Sequence, residues 1–193
     1  QDEKEFGCRV LVGRYYSEND QKIYTGIAQL TNVEFVNCGQ RGFVEDYDPR
    51  FALAFMDIGD AAGTPDDLCE HKCLDSWVMK CSFNYNYNAA IGVFGTTSNL
   101  KVRDNVVYRA FDNGAVDKAS DNVWINNLVA YVIFAGTHLN RAKSMEFHHC
   151  YSIEKARGIT FKNNVAAGCE RGGIRTEGEV CGNMDWTGNE VHG

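Results

Sequence analysis

The sequence predicts an all-β fold, a parallel β-solenoid with coils near 22 residues long and two loop or helix insertions. Three observations predict it. A short alternating strand that ends in asparagine recurs along the chain, and the recurrences keep nearly one spacing. The chain also turns with glycine and asparagine, carrying 19 Gly but 2 Pro. Both of those residues accept left-handed backbone at little cost.

The clearest copies are LKVRDN from Leu100 to Asn105, VWINN from Val123 to Asn127, ITFKNN from Ile159 to Asn164 and MDWTGN from Met184 to Asn189. An earlier copy is VEFVN, ending at Asn37, and in the line from Met79 to Phe83 a phenylalanine takes the asparagine's place. Phe83 to Asn105 and Asn105 to Asn127 are each 22 residues, and Asn164 to Asn189 is 25. The longer intervals, Asn37 to Phe83 and Asn127 to Asn164, read as a coil or more with inserted residues. A crossover helix would show a 3.6-residue period between strands, and a flat sandwich would not reuse one period. Stacked coils would set equivalent side chains in columns about 4.8 Å apart. Asn37, Asn105, Asn127, Asn164 and Asn189 are therefore expected to form a structural ladder, each amide bonding to those above and below.

A second line follows each repeat: AIGVF from Ala90, GAVD from Gly114 and GIRT from Gly173. The whole chain, 1–193, reads as one solenoid segment with insertions at about 60–76 and 136–157. In the first insertion, Thr64 followed by Pro65, Asp66 and Asp67 is a helix start, expected to run to Ser76. The second insertion is polar, holds His138, His148, His149 and Cys150, and is expected to be a surface excursion.

The formal charge is −7 with no basic run beyond two residues, which excludes a phosphate-binding face and hence nucleic acid. The longest apolar run, LVAYVIFAG from Leu128, is too short to cross a bilayer. QDEKEF at the start is not a signal peptide, so a targeting signal is expected elsewhere or already removed. Eight cysteines, Cys8, Cys38, Cys69, Cys73, Cys81, Cys150, Cys169 and Cys181, favour disulfides and an oxidising compartment. Cys169 with Cys181 is the first expected pair. No Asn-x-Ser/Thr sequon is present, which argues mildly the other way.

Candidate chemistry is sparse. Aligning the second strands puts Ile91, Ala115 and Ile174 in one column and Val93, Asp117 and Thr176 in the next. Asp117 is then nominally inward. Because aspartate is so rarely buried, either a bulge turning it outward or an aspartate capping a loop is expected. Arg175 and Glu177, beside Glu170 and Arg171, should point to solvent, and a solvated face outweighs a sugar-cleaving site there. Cys69, His71 and Cys73 are zinc-type ligands at an unusual spacing, and disulfides are the commoner use of such cysteines. His148, His149 and Cys150 could complete a metal set only if the two insertions meet. Tyr85 and Tyr87 alternate onto one face, open to a sugar or a partner protein. There is no nucleophile elbow or phosphate-cradling loop, and no cofactor is expected.

The segments GCRVLVGRYYSE, LTNVEFVNCGQRGF, DPRFALAF, AAIGVFGTTSNLKVRDNVVY, NNLVA and NNVAAGCERGGIRTEGEVC, together with the final GNEVHG, resemble the fibrocystin family. The likeness runs from Phe6 to Gly193. It implies a right-handed parallel β-helix in the ectodomain of a large cell-surface protein, often ciliary, with no established catalytic site in this stretch. The role implied is a rigid spacer and protein-interaction surface, its partners being other proteins or neighbouring domains of one longer chain. Glycan is the further candidate ligand. The alternative is a carbohydrate-active enzyme, a hyaluronidase-like hydrolase or a polysaccharide lyase, since cell-surface hyaluronidases share the broader architecture. Cys69 to Cys73 and the second insertion depart from the family pattern. The last coil has no polar cap, so a fragment of a longer solenoid is expected.

Overall fold

The computed structural model describes residues 6–41, 49–62, 75–133, 149–178 and 184–193. The described residues are all β, without helix, and their strands fall into three sheets. Sheet one holds β1 (Val10–Ser17), β2 (Lys22–Thr25), β5 (Leu53–Met56), β8 (Ile91–Phe94), β11 (Asn113–Lys118), β14 (His149–Glu154) and β17 (Gly172–Glu177). Sheet two holds β4 (Glu34–Val36), β7 (Ser82–Asn86), β10 (Val106–Phe111), β13 (Leu128–Ile133), β16 (Val165–Ala167) and β19 (Glu190–His192). Sheet three holds β3 (Gln29–Thr31), β6 (Trp77–Met79), β9 (Lys101–Arg103), β12 (Val123–Ile125), β15 (Thr160–Lys162) and β18 (Asp185–Thr187).

From β3 onward the chain visits sheets three, two and one in turn, and each strand pairs in parallel with the strand three places along. That order is consistent with a parallel β-helix. Among the described strands only β2 runs antiparallel, folding back on β1 at the sheet's edge.

Turn chemistry explains why the strands are so short. Just before each ladder position the backbone turns left-handed, at Asn32, Lys80, Asp104, Asn126 and Asn163 (φ 52–58°) and at Gly188 (φ 67°). Asparagine, aspartate and glycine dominate that column because their Cβ penalty there is low or locally repaid. The ladder asparagine is thus the residue after the left-handed one.

Two repeat copies fall differently from the sequence alignment. Cys81, not Phe83, occupies the ladder position of its coil, and its N–H donates to Asn105 Oδ1 at 2.9 Å across 24 residues. Phe83 instead stacks inside on Phe35, centroids 4.7 Å apart and nearly coplanar. Asn37 lies outside the ladder. It shares a second left-handed column with Tyr85, Arg109, Tyr131 and Gly168, on sheet two.

The second insertion is shorter than expected. Residues 149–154 form β14, a fully paired strand between β11 and β17, because Tyr151 and Ile153 point inward while Ser152 and Glu154 take the other face. The expected helix from Thr64 lies outside the described residues.

The core is built from columns: Val78, Val102, Trp124 and Phe161 from sheet three face Phe83, Val107 and Val129 from sheet two. Each such side chain contributes roughly 1.5–3 kcal/mol on burial. Tyr151 meets Phe161 edge-on at 5.1 Å, and Phe161 packs on Trp186 at 4.8 Å. Gly114 makes room here. A Cβ on it would lie 2.2 Å from Val129 Cγ1 and 2.6 Å from the Cys150 carbonyl oxygen. Gly114→Ala should therefore cost about 1–3 kcal/mol through overpacking. The expected reading is a lower urea midpoint at unchanged slope.

Candidate functional site

Asparagine amides run from coil to coil along the turn between sheet three and sheet two. Asn105 Nδ2 donates to Asn127 Oδ1 (2.9 Å), Asn127 Nδ2 to Asn164 Oδ1 (2.9 Å) and Asn164 Nδ2 to Asn189 Oδ1 (3.3 Å). The backbone N–H of Asn105, Asn127 and Asn164 donates to the same oxygens. Their second amide protons go to the carbonyls of Val78, Val102 and Trp124, each at 2.9 Å. Every strong donor and acceptor of these buried amides has a partner, as a buried polar network requires.

Among the described residues Asp117 on β11 is the most deeply buried carboxylate, with no exposed surface. It stays inward, overturning the expected outward bulge, because three donors wait for it. Trp124 Nε1 donates to Oδ2 at 2.7 Å, and Ala119 N–H and Asn122 Nδ2 donate to Oδ1 at 2.9 and 3.3 Å. Burial pushes its pKa up to about 7, against the pull of those three donors. A pKa near neutrality suits proton transfer, but a sealed carboxylate cannot touch a substrate. What it does is tie β11 to the following turn and to β12.

Arg175 and Glu177 lie on the outer face of the same sheet. Arg175 is mostly buried rather than solvated, since Nη1 donates to Glu154 Oε1 at 3.1 Å and Nη2 to Glu177. Glu154 also takes Lys118 Nζ on Oε2 at 3.1 Å and Ser152 Oγ on Oε1 at 2.7 Å. Glu154 was hidden in the stretch read as an insertion, and only its strand register reveals it. Because Asp117 faces inward and this cluster outward, the three sequence candidates do not converge on one reacting centre.

The disulfides correct the expected pairing. Cys150 bonds Cys169, tying β14 to the turn after β16, and Cys8 bonds Cys38. Closing loops of 19 and 30 residues should restrict the unfolded chain by about 3 kcal/mol each. Cys81 is a buried free thiol. Cys69, His71, Cys73, His138, His148 and Cys181 lie outside the described residues. Among the described residues no group of three His, Cys, Asp or Glu side chains is placed to hold a metal, and no helix is long and apolar enough to cross a membrane.

Tyr85, Tyr108 and Tyr131 form an exposed row on sheet two, with ring centroids 5.9 and 6.1 Å apart. Tyr85 and Tyr87 do not alternate simply, because Tyr85 is left-handed (φ 55°) and breaks the pleat. Tyr87 is half-buried.

Three sheets of stacked, almost wholly parallel strands, with a satisfied amide row at the turn from sheet three to sheet two, define an all-β protein. The chain is 35% identical to human Fibrocystin-L in an alignment 198 positions long, which covers 99% of this chain and 4% of that protein. Mouse Fibrocystin-L is 33% identical over 97% of the chain, and dog Fibrocystin 24% over 96%. The chain belongs to the fibrocystin-like family. It spans about 4% of the length of these relatives. No model of a protein family and no solved structure matches it.

Proposed function

We propose that this chain is one segment of a right-handed parallel β-helix in the extracellular part of a fibrocystin-like cell-surface protein, where it acts as a rigid spacer and protein-contact module. The observation that carries this reading is the unbroken three-strand stride from β3 to β19 with buried amides bridging the coils. Each coil contacts only its neighbours, so a solenoid gains length without a new core. Two cross-links among the described residues support an oxidising setting. Residues 1–193 form a single domain in this reading.

Hydrogen exchange on the intact ectodomain should find the amides of β8 to β16 protected together, as one cooperative unit. Exchange of those strands within seconds would sink the spacer. New reducing ends or unsaturated products after incubation with hyaluronan or pectin-type polymers would replace it with an enzyme. Eight free thiols in the denatured protein would overturn the extracellular placement.

A further inference from the structure

We propose that the outer face of sheet two across β7, β10 and β13 docks another protein, one whose contacting patch is apolar at its centre and carries lysine or arginine at its edge. This rests on the spacer-and-contact reading above and gives its contact half a place.

Composition is the first support. β7, β10 and β13 contain no carboxylate at all, in a chain of formal charge −7. Their outward side chains include Tyr85, Tyr108 and Tyr131, 43–48% exposed, with Val106 at 41%. Arg109 lies over the Tyr85 ring at 5.0 Å. Tyrosine and arginine dominate the energetic centres of protein interfaces, from which aspartate, glutamate and lysine are depleted.

Backbone strain is the second. Tyr85, Arg109 and Tyr131 are left-handed, at φ 55°, 57° and 61°. A residue with a Cβ costs about 1 kcal/mol or more in that conformation. Gly168 fills the same column one coil on, where the backbone is relaxed. Three bulky side chains sit in this column at a cost to the fold, and they face water rather than the core. Strain of this kind collects at binding surfaces.

Charge selects the partner. One outward column runs Glu34, Ser82, Val106, Leu128, Val165, Glu190, so it ends in a carboxylate on both sides. Both carboxylates are exposed. A basic rim complements this pattern, whereas a second copy of the chain would bring acidic ends together in either orientation. A glycan fits less well. The Tyr108 and Tyr131 rings stack on each other at 23° and so turn their faces together instead of outward.

The test places a photoreactive benzophenone side chain at position 108 of the full-length protein on cells. Adducts should map to one polypeptide segment in which lysine or arginine flanks apolar residues. That segment, purified, should bind the protein with an affinity that salt weakens. Tyr108→Ser and Arg109→Ala should each reduce it by about tenfold. Tyr16→Ser, on the β1–β2 hairpin, should leave it unchanged. Adducts confined to glycan, to lipid or to a second copy, no adduct, or affinities indifferent to both substitutions would each overturn the proposal. None of these readings depends on coil rigidity, so the spacer can survive the loss of the docking face.

Discussion

Asn127→Ala should lower the stability of the fold by about 3–5 kcal/mol, among the largest effects available to a single side chain. Truncation strips the Asn127 Oδ1 from two donors of Asn105 and the Nδ2 protons from the Val102 carbonyl and Asn164 Oδ1. These groups are sealed from water, so none regains a partner on the cheap. Urea unfolding followed by circular dichroism measures the loss. Asn127→Asp separates geometry from shape. Its carboxylate still accepts from Asn105 but would face two acceptors where the amide once donated. Its damage should match alanine's at neutral pH and ease in acid, as protonation restores one donor. A loss under about 1 kcal/mol for Asn127→Ala would show that the amide row is incidental.

The second large effect is a pH slope set by Asp117. Its folded pKa, about 7, lies above the ordinary value of 3.8, so the folded state holds the proton more tightly than the unfolded chain. The resulting stabilisation is complete below 3.8, declines as pH rises, and is gone above about 7. Between pH 5 and pH 8 the fold should lose about 3 kcal/mol from this one group. The side chains that hold Asp117, from β12 and from the turn after β11, are Trp124 and Asn122, both uncharged, and no cation offsets the carboxylate among them. Asp117→Asn should flatten the slope. It should also be weaker than the parent at pH 5, since an amide nitrogen would oppose the Trp124 Nε1 or the Ala119 N–H donor. Parallel pH curves for parent and variant would refute the assignment.

Much of the architecture was legible because a solenoid writes its geometry into spacing. Asn105, Asn127 and Asn164 can be aligned by eye, since each follows an apolar-x-apolar line and a turn residue. The phase fails at the earliest coils. Nothing local distinguishes Asn37, which turns the chain on sheet two, from an asparagine on the ladder, and Cys81 gives no amide to recognise. Glu154 and Tyr151 were lost for another reason: HCYSIE follows a polar stretch, and its alternation counts as a strand only once β11 and β17 flank it. The Cys150–Cys169 bond follows from that strand and could not precede it. Asp117 defeats the burial rule because its three donors come from residues two, five and seven places on, a local arrangement that composition conceals.

The amide row also has a direction. Each asparagine gives its backbone N–H and one amide proton forward, to the oxygen of the coil wound after it. Its other amide proton goes back to a carbonyl of the coil before, and its own oxygen never receives from the later side. A finished turn therefore presents unmet N–H groups to the chain still arriving. Only a segment that delivers an amide oxygen to that point satisfies them. Winding from the amino end is thus checked turn by turn, and a strand slipped by one residue leaves its predecessor's protons hanging.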